Sequence, residues 1–198
     1  MYQEEENKTI SPIILIITGI IAAVLIFIFF KEVVEEYKRK NAYIDNLDIT
    51  YVGNPEEWQK CKTISVNNFE SNIKEYSFDN GENWQESNLY EVCQNGLINV
   101  LVRNGRGKEV GKGSINVSGI DIISPTIITS DITIKVGEKI NLLADVEVVD
   151  NESGVLGSVT YSPKFIDTSK EGIYTITYKV YDKAGNSSTK LRVITVEK

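Results

Sequence analysis

One apolar run, residues 13–30, limits what this chain can fold into more than any other feature. It holds no charged side chain. As a helix with a rise of about 1.5 Å per residue, it is roughly 27 Å long, close to the ~30 Å hydrocarbon thickness of a bilayer. A buried core helix would show a polar stripe, and a cleaved signal peptide would be followed by small residues, whereas the charged stretch 31–37 follows here. The run therefore predicts a transmembrane helix that stays attached and anchors the chain in the lipid bilayer.

The composition excludes several functional classes. None of the 198 residues is His, and the net charge is -7. This acidic balance is the opposite of the basic surface that binds nucleic acid, so we expect no nucleic-acid partner. The absence of His removes His-dependent catalytic triads and His-ligated zinc sites, and the two cysteines cannot complete a four-cysteine zinc site. Because the sequence shows no nucleophile–base pair and no phosphate loop, we expect a protein that is not an enzyme.

The residue composition of the rest of the chain changes along its length. A polar tail, residues 1–12, precedes the helix, and the Glu- and Lys-rich stretch 31–46, which lacks Gly and Pro, predicts a helical stalk. From residue 47 onward, short β-rich runs alternate with Gly- and Asn-rich turns, a spacing typical of β-sandwiches. The predicted strands are 48–52, 62–66, 75–78, 89–93, 97–103, 114–117, 126–129, 132–136, 139–149, 157–161, 172–181 and 189–196.

Two segments with the same layout divide the β-rich part into two units. Residues 95–107 and 171–185 each contain a turn, an alternating strand and a second Gly-containing turn. Within 173–181, apolar residues and threonines alternate, which places one face of this strand on a core. We interpret the two segments as an internal repeat. The fold class is therefore mainly β, with one unit at 47–119 and another at 120–198, behind the transmembrane helix and its stalk.

The second unit carries a series of motifs: Ser-Pro-Thr-Ile-Ile at 124–128, Val-Gly-Glu-Lys at 136–139, Val-Asp-Asn-Glu-Ser-Gly-Val at 149–155, Glu-Gly-Ile-Tyr-Thr-Ile-Thr-Tyr at 171–178 and Tyr-Asp-Lys-Ala-Gly-Asn-Ser at 181–187. In this order they resemble the bacterial immunoglobulin-like (Ig-like) repeats of cell-surface proteins. The first unit is similar to a related repeat through 76–85 and 102–107, although its last turn departs from the usual Asp-x-x-Gly-Asn. The resemblance implies two tandem Ig-like β-sandwiches, usually extracellular and used as spacers or adhesive modules. It implies no activity.

The signals for membrane orientation disagree. Lys8 is the one basic residue before the helix, whereas Lys31, Lys38, Arg39 and Lys40 follow it. The positive-inside rule would place the C-terminal part in the cytoplasm. The resemblance to surface repeats points the other way, and we give it more weight. We expect a single-pass protein of the cell membrane with its C-terminal domains extracellular.

The two cysteines, Cys61 and Cys93, both lie in the first unit. In an oxidising environment outside the cell they can form a disulfide that closes a loop of about 32 residues, worth roughly 3 to 4 kcal/mol in the chain-entropy model. The alternative is a pair of buried free thiols, which are common in protein cores. We expect the disulfide.

Acidic residues in the turns of the second unit form the candidate ion site. In an Ig-like strand order, the turn after the second long strand and the turn before the last strand emerge at the same pole. Asp145, Asp150, Glu152 and Asp182 would then offer carboxylate oxygens of the kind that bind Ca²⁺. The alternative interpretation is turn chemistry, since Asp and Asn side chains accept hydrogen bonds from nearby backbone N–H groups. We favour turn chemistry, and Ca²⁺ is the one cofactor that the sequence suggests.

The transmembrane helix also offers a contact surface. Gly19 and Ala23 form a pair of small residues four apart, which would let two helices approach closely. Larger residues recur at alternating spacings of four and three along the same helix. These patterns are compatible with a parallel homodimer through the anchor helix. We favour a monomeric anchor, because almost any Ile-rich helix fits such a seam.

These observations favour a membrane-anchored cell-surface protein. It would display two Ig-like domains for adhesion, binding or spacing at the cell envelope, where an unidentified surface protein or glycan is the partner. The alternative function is a non-catalytic accessory subunit of a larger membrane complex, whose helix packs against a partner in the bilayer.

Overall fold

The computed structural model of the protein describes residues 11–40, 42–68 and 72–198. Within these ranges one helix, α1 (Pro12–Lys40), is followed by twelve β-strands. The mainly β fold class and the N-terminal apolar helix are therefore confirmed. Of the predicted polar tail, residues 1–10 lie outside the described part of the chain.

The helix α1 contacts none of the described strands through a buried face. Every side chain from residue 11 to residue 38 is exposed, and its large apolar side chains range from 44% exposed at Val33 to 70% at Phe27. The backbone polar groups are satisfied within the helix, as a lipid environment requires. By length and composition, the stretch Pro12–Lys38, whose most apolar 18-residue window has a mean hydropathy of 3.3, is able to cross a membrane.

The predicted stalk, residues 31–46, is wrong at its C-terminal end, because α1 ends at Lys40. The chain then runs extended beside the last strand of the first sandwich. The N–H of Ile44 donates to the Val110 carbonyl, and the Ile44 carbonyl accepts from the Lys112 N–H, both at 2.9 Å. These hydrogen bonds take the place of the helical ones, so the end of the stalk belongs to the sandwich.

Two glycines make this close approach possible. A Cβ placed on Gly111 would lie 2.9 Å from the Cβ of Ile44, and a Cβ placed on Gly113 would lie 2.8 Å from the Cβ of Leu47. Real side chains do not tolerate such distances. Leu47 can therefore enter the core, where it is 4% exposed. The local sequence of 31–46 favours a helix, but these tertiary contacts end it early.

The first sandwich consists of two three-stranded antiparallel sheets. One sheet has the order β1–β2–β4, with β1 (Ile49–Val52), β2 (Lys62–Val66) and β4 (Leu89–Val92). The other has the order β3–β5–β6, with β3 (Glu75–Ser77), β5 (Gly96–Arg103) and β6 (Glu109–Val117). The buried core between them contains Leu47, Ile64, Val66, Ile73, Phe78, Val92, Val100, Val102, Val110, Val117 and Ile120.

The second sandwich has a core of its own. Its larger sheet has the order β10–β11–β12–β8, with β8 (Ile132–Lys135), β10 (Val155–Ser162), β11 (Gly172–Asp182) and β12 (Ser187–Glu197). In this sheet β8 pairs with β12 in parallel, while the other pairs are antiparallel. The smaller sheet pairs β7 (Thr126–Ile128) with β9 (Glu147–Val149). The buried core contains Ile127, Ile134, Leu142, Ile176, Tyr178, Val180, Ile194 and Val196.

The alternation predicted for the longest strand is confirmed. Along β11 the side chains of Ile176, Tyr178 and Val180 are buried, and the residues between them are exposed. Tyr181 lies on the outer face and is 42% exposed. Because successive side chains of a strand point to opposite faces, the period of two in the sequence is the direct cause of this burial pattern.

The strand predicted at 139–149 is wrong over most of its length, because β9 covers only its end. Residues 139–146 form turns instead. Asp145 has a positive φ of 57°, a conformation that interrupts a strand. The buried hydroxyl of Tyr178 donates to the Leu142 carbonyl and fixes this loop on the core. Alternating hydrophobicity alone does not distinguish a strand from a loop held down in this way.

Arg192 is a second long-range support of the same loop. It occupies a core-facing position on β12 and is 1% exposed. Its Nε donates to the Ser130 carbonyl at 2.7 Å, and its Nη1 donates to the Ala144 carbonyl at 2.9 Å. Among the ion pairs of the described residues, none involves Arg192. Backbone carbonyls therefore compensate this buried charge and tie two loops to the sheet.

We expect the substitution Arg192→Met to lower the free energy of unfolding by about 2 to 4 kcal/mol, because it removes the hydrogen bonds that tie the Ser130 and Ala144 carbonyls to the sheet. The measurement is urea denaturation of the full chain in detergent, followed by circular dichroism. Lys190→Met is the matched control, since Lys190 is exposed on the same strand and its replacement should change stability by less than about 0.5 kcal/mol. Equal midpoints for the two variants would contradict this role of Arg192.

A disulfide joins Cys61 to Cys93, with a Cα–Cα distance of 4.1 Å and a sequence separation of 32. Cys61 directly precedes β2 and Cys93 directly follows β4, next to the paired residues Lys62 and Val92. The bond therefore closes one end of this sheet. That end faces the second sandwich.

Replacing both cysteines by serine should lower the free energy of unfolding by roughly 3 to 4 kcal/mol, because the unfolded chain loses its cross-link. Guanidinium denaturation followed by tryptophan fluorescence measures this, since Trp58 and Trp84 both belong to the first sandwich. Dithiothreitol should shift the midpoint of the wild-type chain and leave the double variant unchanged. A wild-type midpoint that is insensitive to the reductant would show that the cross-link does not stabilise the fold.

Candidate functional site

The most densely bonded polar region lies where the two sandwiches meet, at residues 118–124, which we call the joint. On the side of the first sandwich, Gln59 accepts the N–H of Asp121 at 3.0 Å through its carbonyl, and its N–H donates to Gly119 at 3.1 Å. The side chain of Asn95 bonds both backbone groups of Ile120, at 2.7 and 2.9 Å. The Ser118 N–H also donates to the Tyr51 hydroxyl at 3.2 Å. The joint is thus attached to the first sandwich by five hydrogen bonds.

The disulfide also positions Gln59 and Asn95, two of the residues that bond the joint to the first sandwich. Gln59 lies two residues before Cys61, and Asn95 lies two residues after Cys93. The covalent bond therefore holds together the two segments that grip the joint. A structural cross-link of the first sandwich is in this way also a support of its connection to the second.

On the side of the second sandwich, Asn186 and Ser153 hold the joint. The amide Nδ2 of Asn186 donates to the Asp121 carbonyl at 2.9 Å and to the Ile123 carbonyl at 3.3 Å. The backbone N–H of Ser153 donates to Oδ2 of Asp121 at 3.0 Å. Asp121 is therefore bonded to both sandwiches: its N–H bonds to the first, and its carbonyl and carboxylate bond to the second.

Three carboxylates converge at this point, and we call them the acidic cluster: Asp121, Asp150 and Asp182. One oxygen of each lies within 4.8 Å of the others. Asp121 is 3% exposed and Asp182 is 0% exposed, while Asp150 is half-buried. They come from the joint, from the turn after β9 and from the end of β11.

Neutral donors surround the acidic cluster. Asp182 accepts the N–H of Asn186 at Oδ1 and its side-chain amide at Oδ2, both at 2.7 Å. Asp150 accepts the N–H of Gly154 at 2.6 Å. Among the described residues, none of the three carboxylates forms an ion pair with Lys or Arg. Lys183 follows Asp182 in the chain, but its ammonium lies beside Gly154.

Asp121 is anionic at neutral pH. Burial raises the pKa of its carboxyl, but the Ser153 hydroxyl and the backbone N–H groups of Ile123 and Ser153 outweigh that effect, so the pKa lies below its ordinary value. The Ser153 hydroxyl is near enough to act on this pKa, yet it does not meet the geometry of a hydrogen bond. It is buried and has no partner in the described structure.

The acidic cluster differs from the four residues expected from the sequence. Asp150 and Asp182 do come together, whereas Asp145 lies in the turn before β9 and is not part of the cluster. Glu152 is exposed and lines a shallow cavity with Asp121 and Cys93, outside the group of three. Turn chemistry is also present, since Oδ1 of Asp150 accepts the N–H of Gly154 within the same turn.

Sequence reasoning missed Asp121 because its partners are distant in the chain. The signal that could have found it is local: Asp121 is one acidic residue among the isoleucines Ile120, Ile122 and Ile123. A charged residue in an apolar connection is expensive to bury, so it needs a specific partner. The pattern does not say which turn supplies that partner.

Several aromatic side chains of the first sandwich are engaged in contacts within the protein. The Arg103 guanidinium lies 4.3 Å from the ring centre of Trp84 and binds the Glu75 carboxylate through two hydrogen bonds, at 2.6 and 2.9 Å. Tyr90 stacks on Phe78 with a centroid distance of 4.6 Å. This packing agrees with a structural role for the rings.

The predicted helix contact, Gly19 and Ala23, lies on the exposed surface of α1. A Cβ on Gly19 would meet no atom within 4 Å. The surface is therefore open to a second helix, and the homodimer stays a hypothesis.

A comparison with known protein families finds a match within the second sandwich. Residues 129–196 match the family model described as bacterial surface protein, Ig-like domain. The model matches one copy, so the prediction of two tandem copies stays a prediction. No curated protein sequence matches the chain.

One solved structure is similar to this chain at 17% sequence identity and a TM-score of 0.28: the M60 catalytic domain with the CBM51-1 and CBM51-2 domains from Clostridium perfringens ZmpB. The similarity covers 78% of this chain and 16% of that chain, so this chain spans only a small part of that protein. Asp150 and Asp182 fall inside the family match, and Asp121 precedes it. The similarity to bacterial surface Ig-like domains is therefore limited to residues 129–196, within the second sandwich.

Proposed function

We propose that this chain is a membrane-anchored bacterial surface protein that presents its two sandwiches outside the cell as a stiff, non-enzymatic module for binding or spacing. The observation that carries the proposal is that one chain combines an exposed apolar helix with a segment, residues 129–196, that matches the surface Ig-like family model. The helix and the domain fit a membrane-anchored or secreted surface protein, and the following arguments favour the anchored form.

The exposed face of α1 supports anchoring. Its side chains from residue 11 to residue 38 are exposed, including Phe27 at 70%, Phe29 at 62% and Phe30 at 61%. A continuous apolar surface of this size is unstable in water and marks a lipid or protein contact. Its length matches the hydrocarbon layer of a bilayer, which needs about 20 apolar residues. A signal sequence has similar features, so retention of the helix is what an experiment must test.

The disulfide supports an extracellular position of the sandwiches. Bonds such as Cys61–Cys93 persist in oxidising environments and are rare in the cytosol, where thiols are kept reduced. The basic residues after the helix favour the opposite orientation under the positive-inside rule. We give the disulfide more weight, because a persistent disulfide requires an oxidising compartment.

The connections between the parts support a stiff module. Ile44 bonds to β6 on both sides within a few residues of the end of α1. At the other end of the first sandwich, Gln59 and Asn95 grip the joint, and Asn186 holds it to the second. With so few unbonded residues between the parts, the sandwiches can hold a binding surface at a fixed distance from the bilayer.

The binding partner belongs to the proposal only as a class. Ig-like sandwiches bind through exposed strands and loops, so a surface protein or a glycan is the expected partner, and nucleic acid is disfavoured by the net charge of -7. The second candidate is a non-catalytic accessory subunit of a membrane complex. The open surface around Gly19 favours it, because a close helix partner fits there.

Cysteine labelling in intact cells tests the anchored, outward arrangement. With an epitope tag fused ahead of Met1, we expect the tagged chain to resist alkaline extraction of membranes, because α1 remains in the bilayer. A membrane-impermeant maleimide should label the cells only after an impermeant reductant has opened the disulfide. The Cys61→Ser, Cys93→Ser double variant is the control and should never be labelled.

Three outcomes would contradict the proposal. Loss of the tag from the mature chain would identify α1 as a cleaved signal peptide. Labelling without reductant, seen only after lysis, would place the sandwiches in the cytoplasm. Purification in mild detergent with a stoichiometric polytopic partner would establish the accessory subunit instead.

A further inference from the structure

We infer that the acidic cluster is a Ca²⁺ site that locks the joint to the second sandwich, with the Ser153 hydroxyl as an additional oxygen ligand. The inference goes beyond the proposed function and does not depend on the orientation of the chain. It rests on the convergence of charge, on the absence of a compensating cation among the described side chains, and on an unsatisfied oxygen beside the cluster.

The convergence of charge is the first step. Oxygens of Asp121, Asp150 and Asp182 lie within 4.8 Å of one another. Two of these residues are almost completely buried, so water screens their repulsion poorly. Like charges that share a site oppose one another's ionisation. A fold that brings three carboxylates together from three separate segments therefore needs a positive charge between them.

No side chain of the described residues supplies that charge. The ion pairs of the structure lie elsewhere, at Glu35, Glu75, Asp167, Glu171 and Glu197. The donors around the cluster are backbone N–H groups and one amide, which orient the oxygens without neutralising them. These neutral donors leave three carboxylates close together, and a bound cation would compensate them as a group.

Ser153 is the independent observation that points to a ligand. The residue is 3% exposed, and its Oγ is buried without a hydrogen-bond partner in the described structure. Its own backbone N–H donates to Oδ2 of Asp121 at 3.0 Å, which places the residue directly against the cluster. Buried hydroxyls are normally satisfied, because leaving one unpaired costs free energy. A cation held by Asp121 would give this oxygen a partner.

The donor set selects the kind of cation. All four ligands are oxygens, and three of them are carboxylates, which suits a hard cation. The chain has no His, and both cysteines are in the disulfide, so the nitrogen and sulfur ligands that zinc or copper prefers are absent. Ca²⁺ accepts irregular geometry with six to eight oxygens, water included, whereas Mg²⁺ requires a near-ideal octahedron. Ligands from three loops of unequal burial fit Ca²⁺ better.

Because of the position of Asp121, an ion at this site would affect the connection between the two sandwiches. The N–H of Asp121 donates to the Gln59 carbonyl of the first sandwich, while Asp150 and Asp182 belong to the second. An ion held by all three would therefore connect the two sandwiches across the joint. Its removal would leave the hydrogen bonds of Asn186 and Ser153 to oppose the repulsion of the carboxylates.

The test is a calcium titration of the purified full chain in detergent micelles, after treatment with EDTA and dialysis. We expect one Ca²⁺ per chain by isothermal titration calorimetry, with a dissociation constant on the order of 10⁻⁴ to 10⁻³ M, as in extracellular modules. Ca²⁺ should also raise the melting temperature and slow the hydrogen exchange of the peptide that contains the joint.

Matched variants distinguish Ca²⁺ binding at the acidic cluster from nonspecific binding to other acidic residues. Asp150→Asn keeps the oxygen that accepts the Gly154 N–H but loses one charge, so it should weaken Ca²⁺ binding at least about tenfold. Ser153→Ala should weaken it by a smaller factor. Asp145→Asn is the control, because Asp145 lies outside the cluster and Asn tolerates its positive φ of 57°. It should bind Ca²⁺ as the wild type does.

Several results would overturn the inference. These are no heat and no change in melting temperature at millimolar Ca²⁺, equal binding by Asp150→Asn and wild type, or loss of binding in Asp145→Asn. Tighter binding of Mg²⁺ than of Ca²⁺ would overturn the choice of metal. The Asp150→Asn variant should fold without metal at least as stably as the metal-free wild type, since it carries less repulsion, and a lower stability would contradict the electrostatic argument.

Discussion

Like charges repel strongly when a protein buries them, and the connection between the two sandwiches is built around three of them. Asp121, Asp150 and Asp182 come from separate segments, so their juxtaposition exists only when the joint and both turns are in place. The hydrogen bonds from Asn186, Ser153 and Gly154 fix the direction of each carboxylate. The relative position of the sandwiches thus depends on how this repulsion is compensated. The fold of each sandwich does not, since each has its own apolar core.

At the other end of the first sandwich, the connection to the helix is likewise made by polar hydrogen bonds and not by a shared apolar core. The apolar surface of α1 is exposed throughout, whereas Ile44, only four residues beyond Lys40, is already bonded to β6. Two glycines on β6 let the chain pass closely over the sheet. The sandwiches therefore bury their apolar residues in their own cores, those of α1 stay exposed, and a short bonded segment connects the two parts.

Local periodicity accounts for what could be predicted. A run without charge predicted the helix, and alternation predicted β11 with its buried and exposed faces. Where the predictions were wrong, a distant side chain decides the structure. Ile44 leaves the predicted stalk because β6 offers it hydrogen bonds, and the loop at 139–146 is held by Tyr178 and Arg192 from later strands. Asp121 was missed for the same reason, since its partners lie about 30 and 60 residues away in the chain.

The parallel pairing of β8 with β12 determines how the second sandwich responds to tension. Suppose the chain is pulled between the joint and Lys198. The force then pulls β8 toward its N-terminal end and β12 toward its C-terminal end. Because the two strands are parallel, these forces act in opposite directions along the pair. The ladder from Ile132 to Lys135 is sheared as a whole, so its hydrogen bonds share the force instead of opening one after another. The short parallel contact of Ile44 with Gly111 has the same geometry in the first sandwich. If the chain were pulled away from a cell surface, each of the two sandwiches would therefore resist the force through a parallel contact loaded in shear.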